Sequence, residues 1–276
     1  MLIGTVVVFL LVGVGVYLVV QKFAQELPLP TPIARACEIK TTSGTVLLDP
    51  AQTANAATIA AVGIRRKVPD RAVVVALATA MQESKLENLE GGDRDSIGLF
   101  QQRPSQGWGQ PQQIIDPRYS ARKFYDALLK VRGWQRMSIT DAAQSVQRSA
   151  YPQAYQQWAD QATVLARTFT SASPAALTCA FPPPTKAAEP RVVARQLSAE
   201  VPVSLLGATG RVGELRPANW TTANWLIAHA DRLGIEAVTV AGQRWHRADG
   251  WSRDSAAATA DRVRFEMASI QPAPPA

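Results

Sequence analysis

The chain of 276 residues contains only two cysteines and two histidines, and these four residues do not follow the spacing of metal ligands. We therefore expect no metal site, and we predict no other cofactor. Lysine and arginine form no continuous block, although the formal net charge is +7. Nucleic acid is therefore not an expected partner. The mild positive charge suits an anionic polymer, a membrane face or simply a solvated surface.

No charged residue interrupts the apolar run over residues 2–20, which is long enough to cross a membrane. No lysine or arginine precedes the run and no small-x-small cleavage site follows it, so an uncleaved anchor is favoured over a cleaved signal peptide. We expect a single transmembrane helix over residues 1–22, a proline-rich linker over 23–36, and the remaining chain outside the cytoplasm. Lys22 and Arg35 follow the helix and by themselves favour the opposite orientation.

The two cysteines bracket one segment of the chain. Cys37 follows the first proline-rich stretch, and Cys179 precedes a second one, "AFPPPTKAAEP". A disulfide between them would tie the two ends of one domain together, which is common outside the cytoplasm. Two unrelated thiols are the alternative. The position of the cysteines favours the disulfide.

The segment 37–179 has the pattern of a helical domain. Asp49 and Pro50 provide an N-cap and a first-turn proline for the first helix. The run over residues 72–81, "AVVVALATAM", is apolar on all sides and predicts a buried central helix, with a strand over 73–75 as the rival interpretation. We therefore expect a mainly α fold, in which only the loop-and-strand region over 86–104 is not helical.

A second proline-rich linker over 180–190 leads to residues 191–272, which predict a small α+β domain. "TTANWLIAHADRLG" has a threonine cap and a terminal glycine, and predicts a helix near residues 221–232. "IEAVTVAGQRWHR" alternates around a central Ala-Gly pair like a hairpin, and "RVRFEMA" predicts a third strand. Trp220, Trp245 and Trp251 are expected to pack in the core of this region. The alternative is a groove for glycan or a partner protein, lined by Trp245, His246 and Trp251.

Glu83 stands at the end of the predicted buried helix. The carboxyl end of a helix carries unsatisfied carbonyls and a negative partial charge, and low solvation acts in the same direction. Both disfavour a carboxylate and therefore favour the protonated carboxyl group of a general acid. An ordinary surface glutamate just inside a helix terminus is the alternative.

The residues after Glu83 continue in a recognisable order. Ser84 comes next, then Gly92-Asp93-Arg94, then Gly98-Leu99-Phe100-Gln101. This series resembles the goose-type lysozyme and soluble lytic transglycosylase superfamily, which has Glu-Ser, a glycine-containing loop and Gly-Leu-Met-Gln in that order. The resemblance covers about residues 45–170. It implies a lysozyme-like helical fold with Glu83 as the catalytic acid, and substrate contacts at Ser84 and Gln101.

A closer resemblance is to a subgroup of bacterial extracytoplasmic proteins with "GDRDSxGLFQQRPSQGWG" and "AQxVQRSAYPxAY", which match residues 92–109 and 143–155. It implies further substrate contacts at Gln102, Trp108 and Gln147. For Trp108, stacking on a sugar and packing in the core are equally open. The Tyr-Asn pair of the wider superfamily is replaced here by Val146 and Gln147, so Tyr151 is expected to take over the tyrosine that steadies the acid.

The resemblance implies cleavage of the β-1,4 bond between N-acetylmuramic acid and N-acetylglucosamine in peptidoglycan, by a membrane-anchored lytic transglycosylase with one acid/base. Asp93 or Asp95 could instead orient a water and give hydrolysis, although a salt bridge with Arg94 or an Asx turn is the structural alternative for both. The other hypothesis is a weak or inactive wall-binding subunit of an envelope complex, which would contact a protein partner through residues 191–272.

Overall fold

A computed structural model describes residues 35–41, 44–148, 153–171, 173–254 and 261–270. The predicted transmembrane helix over residues 1–22 lies outside these ranges, as does most of the linker that follows it. Within these ranges, every helix is too short or too polar to span a membrane. All of the described residues belong to one compact unit.

Two antiparallel sheets show that the prediction of a mainly α fold was wrong. The first sheet contains β1 (Ala36–Thr41), β2 (Gly44–Leu48) and β3 (Leu177–Ala180), in the order β2-β1-β3. The strands of the second sheet are β4 (Ser204–Thr209), β5 (Val212–Arg216), β6 (Ile235–Val240), β7 (Gln243–His246), β8 (Gly250–Arg253) and β9 (Val263–Met267), in the order β4-β5-β9-β6-β7-β8. The fold is therefore α+β. Its strands have only four to six residues each.

Helices fill most of the chain between β2 and β3. They are α1 (Pro50–Arg65), α2 (Asp70–Ser84), α3 (Pro111–Ile114), α4 (Pro117–Leu128), α5 (Ile139–Gln147) and α6 (Ala159–Thr170). Asp49 caps α1 as predicted, since its side chain accepts from the Gln52 backbone N–H at 2.7 Å and the Gln52 side chain accepts in return at 3.0 Å. Every residue from 72 to 81 is buried in α2, so the expected central helix is confirmed and the rival strand is excluded.

The predicted disulfide between Cys37 and Cys179 is present. The two cysteines are directly opposite each other on β1 and β3, with their Cα atoms 4.0 Å apart. The bond therefore closes the first sheet covalently, at the place where the chain enters and leaves the helical region. A buried disulfide of this kind indicates an oxidising compartment outside the cytoplasm.

The C-terminal region contains the six-stranded sheet and the helices α7 (Pro190–Glu200), α8 (Trp220–Ala228) and α9 (Ala230–Leu233). The predicted helix corresponds to α8 and α9, the predicted hairpin to β6 and β7, and the predicted third strand to β9. Helix α7 and the strands β4, β5 and β8 were not predicted. The domain boundaries at 179 and 190 stay predictions, but the two regions are in direct contact.

Tryptophan side chains join the C-terminal region to the first sheet. The indole N–H of Trp245 donates to the Cys179 carbonyl at 3.1 Å, and that of Trp251 donates to the Leu177 carbonyl at 2.7 Å. Trp245 is fully buried, while Trp220 and Trp251 are half-buried and meet edge to face with centroids 5.3 Å apart. The core interpretation of these tryptophans is thus supported, and part of their role is to hold β3.

A second contact between the regions is a buried polar group. The Glu200 carboxylate accepts from the Trp225 indole N–H at 2.7 Å and from the Thr58 hydroxyl of α1 at 3.1 Å. The His229 ring stacks on Trp225, with centroids 3.8 Å apart. Burial raises the pKa of Glu200 and lowers the pKa of His229 to about 3, so the histidine is neutral at physiological pH.

Candidate active site

Glu83 is the penultimate residue of α2 and its side chain is half-buried. The hydroxyl of the buried Tyr155 donates to its Oε1 at 2.6 Å. The chain turns away immediately afterwards, because Lys85 adopts a left-handed conformation with φ of 56° and ends the helix. Glu83 therefore lies at the C-terminal end of the buried helix.

Ser84, the next residue, is buried. Its hydroxyl lies 3.0 Å from the Ala80 carbonyl, within α2, and 2.8 Å from the Leu99 carbonyl. The contact with Leu99 ties the end of α2 to the Gly-Leu-Phe-Gln segment. Ser84 thereby positions the loop around Glu83.

The loop after Glu83 is a tight turn. The backbones of Ile97 and Gln102 pair in both directions at 3.0 Å, which is the remnant of the strand predicted in this region. Phe100 fixes the turn to the core, because its ring stacks on Phe124 with centroids 4.7 Å apart. Gln101, at the tip of the turn, adopts a positive φ of 46°. The turn thus buries the apolar pair Leu99-Phe100 and leaves Gln101 on the side of Glu83.

Gly92 makes room for the Gln101 side chain. A Cβ atom at position 92 would lie 1.7 Å from Gln101 Oε1, which is far inside van der Waals contact. The Gln101 amide also donates to the Gly98 carbonyl at 3.2 Å. A side chain at position 92 would have to displace the end of the Gln101 side chain, so the glycine helps to set the orientation of a polar group beside Glu83.

A cleft of about 500 Å³ opens at Glu83. Five of the predicted site residues line it together: Glu83, Asp93, Gln101, Trp108 and Gln147. The described residues that complete the lining are Arg94, Ser96, Arg103, Gln106 and Arg148. Three other predicted site residues lie outside this lining: Ser84, Asp95 and Gln102. Tyr151 lies outside the described residues.

The two aspartates of the loop are in different situations. Asp95 accepts from Arg103 Nε at 2.7 Å and from the Ser105 backbone N–H at 2.8 Å. The Arg103 guanidinium, with help from Ser105, holds the pKa of the Asp95 carboxyl well below its usual range. Asp93 lines the cleft but has a side chain that is 89% exposed, 3.9 Å from Arg94. Of these two aspartates, Asp93 is therefore the one that could offer a second carboxylate to a substrate in the cleft.

Gln102 is directed into the protein. It is buried, and its amide donates to the Ser120 carbonyl at 3.2 Å. The neighbouring turn depends on its backbone rather than its side chain. In place of a substrate contact, the structure gives Gln102 a role in joining the turn to α4.

Trp108 and Gln147 form the far wall of the cleft. The Gln147 amide donates to the Phe100 carbonyl at 2.7 Å, so its side-chain carbonyl can accept from an N–H of a ligand. Trp108 is half-buried, and its backbone carbonyl accepts from the Tyr119 hydroxyl at 3.2 Å. Gly109 permits this contact, because a Cβ there would lie 2.4 Å from the same hydroxyl. Trp108 thus both packs on the core and faces the cleft.

Tyr155 was missed as a site residue by the sequence analysis. It shares an i, i+3 spacing with Trp158, and this apolar face indicates packing rather than chemistry. The signal that could have found it is the motif "AYPxAY", which contains two tyrosines four residues apart. Trp158 also ties this segment to the end of α2. Its indole N–H donates to Gln82 Oε1 at 2.8 Å, and Lys85 Nζ lies 4.0 Å from its ring centroid.

Comparisons with known proteins add no identification. No model of a known protein family matches the sequence, and no curated protein matches it significantly. Among the described residues, no three His, Cys, Asp or Glu side chains form a group that could hold a metal ion. The chemistry open to the site is therefore judged from its geometry, which places one carboxyl group beside a tyrosine hydroxyl at the wall of a polar cleft.

Proposed function

We propose that the chain is a peptidoglycan-cleaving enzyme that acts as a lytic transglycosylase, with Glu83 as its single acid and base. The observation that carries this proposal is the hydrogen bond from Tyr155 to Glu83 at 2.6 Å, at the wall of a cleft lined by amide, guanidinium and indole groups. Amides and an indole are suited to N-acetylated sugars, since they offer hydrogen bonds and a flat apolar face.

The described residues hold only one oxygen of Glu83. Tyr155 donates to Oε1, and no other described residue donates to Oε2. In this proposal, Oε2 protonates the oxygen between N-acetylmuramic acid and N-acetylglucosamine. As that bond breaks, Glu83, which has given up its proton, accepts the proton of the muramoyl 6-hydroxyl. The 6-hydroxyl oxygen then bonds to C1 and closes the 1,6-anhydro ring.

The second carboxylate that hydrolysis requires is poorly provided. Asp95 is held by Arg103 and Ser105 and lies outside the cleft lining. Asp93 reaches the cleft but is almost fully exposed, so bulk water solvates it. A lytic transglycosylase needs only one carboxyl group because its nucleophile belongs to the substrate, and this chemistry fits the arrangement better than the two-carboxylate mechanism.

The test is to incubate the full chain with purified peptidoglycan and to determine the mass of the products. Anhydro-muropeptides are expected, whereas products with hydrated reducing ends would show hydrolysis. Glu83→Gln keeps the shape of the side chain and removes its ionisable proton, so cleavage should fall about 10²- to 10⁴-fold with an unchanged circular dichroism spectrum. A loss smaller than about tenfold would exclude Glu83 as the acid.

The same assay separates the enzyme from a wall-binding subunit. Retained binding to insoluble peptidoglycan without any release of product, by the wild-type chain, would support the subunit hypothesis and reject the proposal. The Glu83→Gln chain serves as the reference for binding without cleavage.

A further inference from the structure

A second depression continues the cleft beyond Trp108. Its volume is about 590 Å³, and four of its lining residues also line the cleft at Glu83: Gln106, Trp108, Gln147 and Arg148. The two depressions are therefore parts of one groove. The far part adds Lys130 and Ser145, together with small apolar side chains.

The far part of the groove is positively charged. Lys130 and Arg148 line it, and none of its described lining residues is acidic. Neither cation forms an ion pair with another described residue, although nearby guanidinium groups do, such as Arg66 with Asp126 and Arg118 with Asp116. The two charges are thus left for a ligand.

Helix termini offset only part of this charge. Lys130 follows α4 after one intervening residue, and Arg148 is the C-cap of α5. The end of each helix carries about half a negative charge, so the two ends together balance roughly one of the two cations. A net positive charge therefore remains in the groove even if Lys130 and Arg148 also interact with the carboxyl ends of their helices.

We propose that this far part of the groove binds the carboxylate of a peptide attached to the glycan strand that Glu83 cleaves. This inference rests on the proposed function, because it assumes a sugar seated at Glu83. Guanidinium and ammonium groups are the side chains that bind carboxylates in proteins. The apolar lining beside them, which includes Val131 and Val146, suits the alkyl parts of a short peptide.

The proposal assigns a preference to the enzyme. A glycan whose peptides carry free carboxylates should be cleaved faster than the same glycan after its carboxylates have been converted to amides. Both contacts are exposed to solvent, so each contributes modestly, and together they should change kcat/KM by about tenfold. The preference should weaken as the salt concentration rises.

The test compares untreated peptidoglycan with carbodiimide-amidated peptidoglycan as substrates of three full-length chains. The first is wild type, the second is Lys130→Gln/Arg148→Gln, and the third is Arg132→Gln/Arg136→Gln. The third chain loses the same two positive charges from exposed positions outside the groove lining. The preference should be lost in the second chain and kept in the third.

Two results would overturn the proposal while leaving the proposed function intact. One is equal cleavage of both substrates by wild type, and the other is an undiminished preference in Lys130→Gln/Arg148→Gln. If no chain cleaves either substrate, the proposed function fails. In that case the carboxylate site is tested by binding, with chains that also carry Glu83→Gln. Tighter binding to untreated than to amidated peptidoglycan, lost on Lys130→Gln/Arg148→Gln, would support the carboxylate site. Equal binding to both substrates would reject it.

Discussion

The hydrogen bond between Tyr155 and Glu83 can be removed while the aromatic ring at position 155 and the carboxyl group at position 83 are both kept. Tyr155→Phe deletes only the hydroxyl that donates to Glu83 Oε1 at 2.6 Å. Hydrogen bonds to charged groups contribute about 1.5–3 kcal/mol, which corresponds to roughly 10- to 150-fold in rate if the bond is needed to hold the acid in place. We expect kcat to fall within this range.

KM should stay nearly constant in this variant. Tyr155 is buried behind Glu83 and is not among the described residues that line the cleft, so its hydroxyl holds the acid rather than the sugar. Steady-state release of soluble muropeptides, measured over a range of glycan concentrations, gives kcat and KM separately. A rise in KM at constant kcat would refute the reasoning, because it would show that Tyr155 acts on substrate binding.

Tyr125→Phe is the matched control. Tyr125 is also fully buried, and its hydroxyl donates to the Ile59 carbonyl at 2.9 Å instead of to Glu83. Both variants should lose about 1 kcal/mol or more in the free energy of unfolding, because each loses a buried hydrogen bond. Only Tyr155→Phe should lose activity. Equal losses of activity would mean that the effect comes from general destabilisation.

Three further predictions concern the fold and the loop. Replacing Cys37 and Cys179 by serine should lower the free energy of unfolding by up to about 5 kcal/mol for a loop of 142 residues, measured by denaturant titration, and a difference below about 1 kcal/mol would contradict the chain-entropy account. Because burial lowers the pKa of His229 to about 3 in the folded state, its contribution to stability is complete above the unfolded pKa of about 6.5 and is lost as the pH falls towards 3. His229→Gln should remove this slope of at most about 1.4 kcal/mol per pH unit, seen as the difference from wild type in urea unfolding at each pH. Gly92→Ala should reduce cleavage about tenfold at an unchanged melting temperature, since the new Cβ must displace Gln101, and full activity would show that the orientation of Gln101 is unimportant.

The buried helix was readable from the sequence because its signal is local. Ten apolar or small residues in succession predict burial, and Glu83 follows them after Gln82. The disulfide was also predictable, since two cysteines at the borders of one segment leave a single pairing. These predictions need no knowledge of contacts between distant parts of the chain.

The missed features depend on contacts between distant residues. Strands β1 and β3 lie more than 130 residues apart and pair only because the helical region brings them together. Tyr155 reaches Glu83 across 72 residues, and nothing in its local pattern distinguishes it from a packing residue. Ser84 and Gln102 are likewise buried because their partners lie on other segments of the chain. The motif does not contain this information, and it therefore led to the prediction that both residues contact the substrate.

The disulfide between β1 and β3 also determines how the protein would respond to mechanical force. Tension applied between residue 35 and residue 270 would pass from Cys37 to Cys179 through the covalent bond. Residues 38–178, which include Glu83 and Tyr155, would carry none of it. Reduction of the bond would add roughly 500 Å of extensible chain, at about 3.5 Å per residue, and would place the cleft directly in the path of the load. A chain pulled from both ends would thus keep the cleft at Glu83 intact for as long as the disulfide survives.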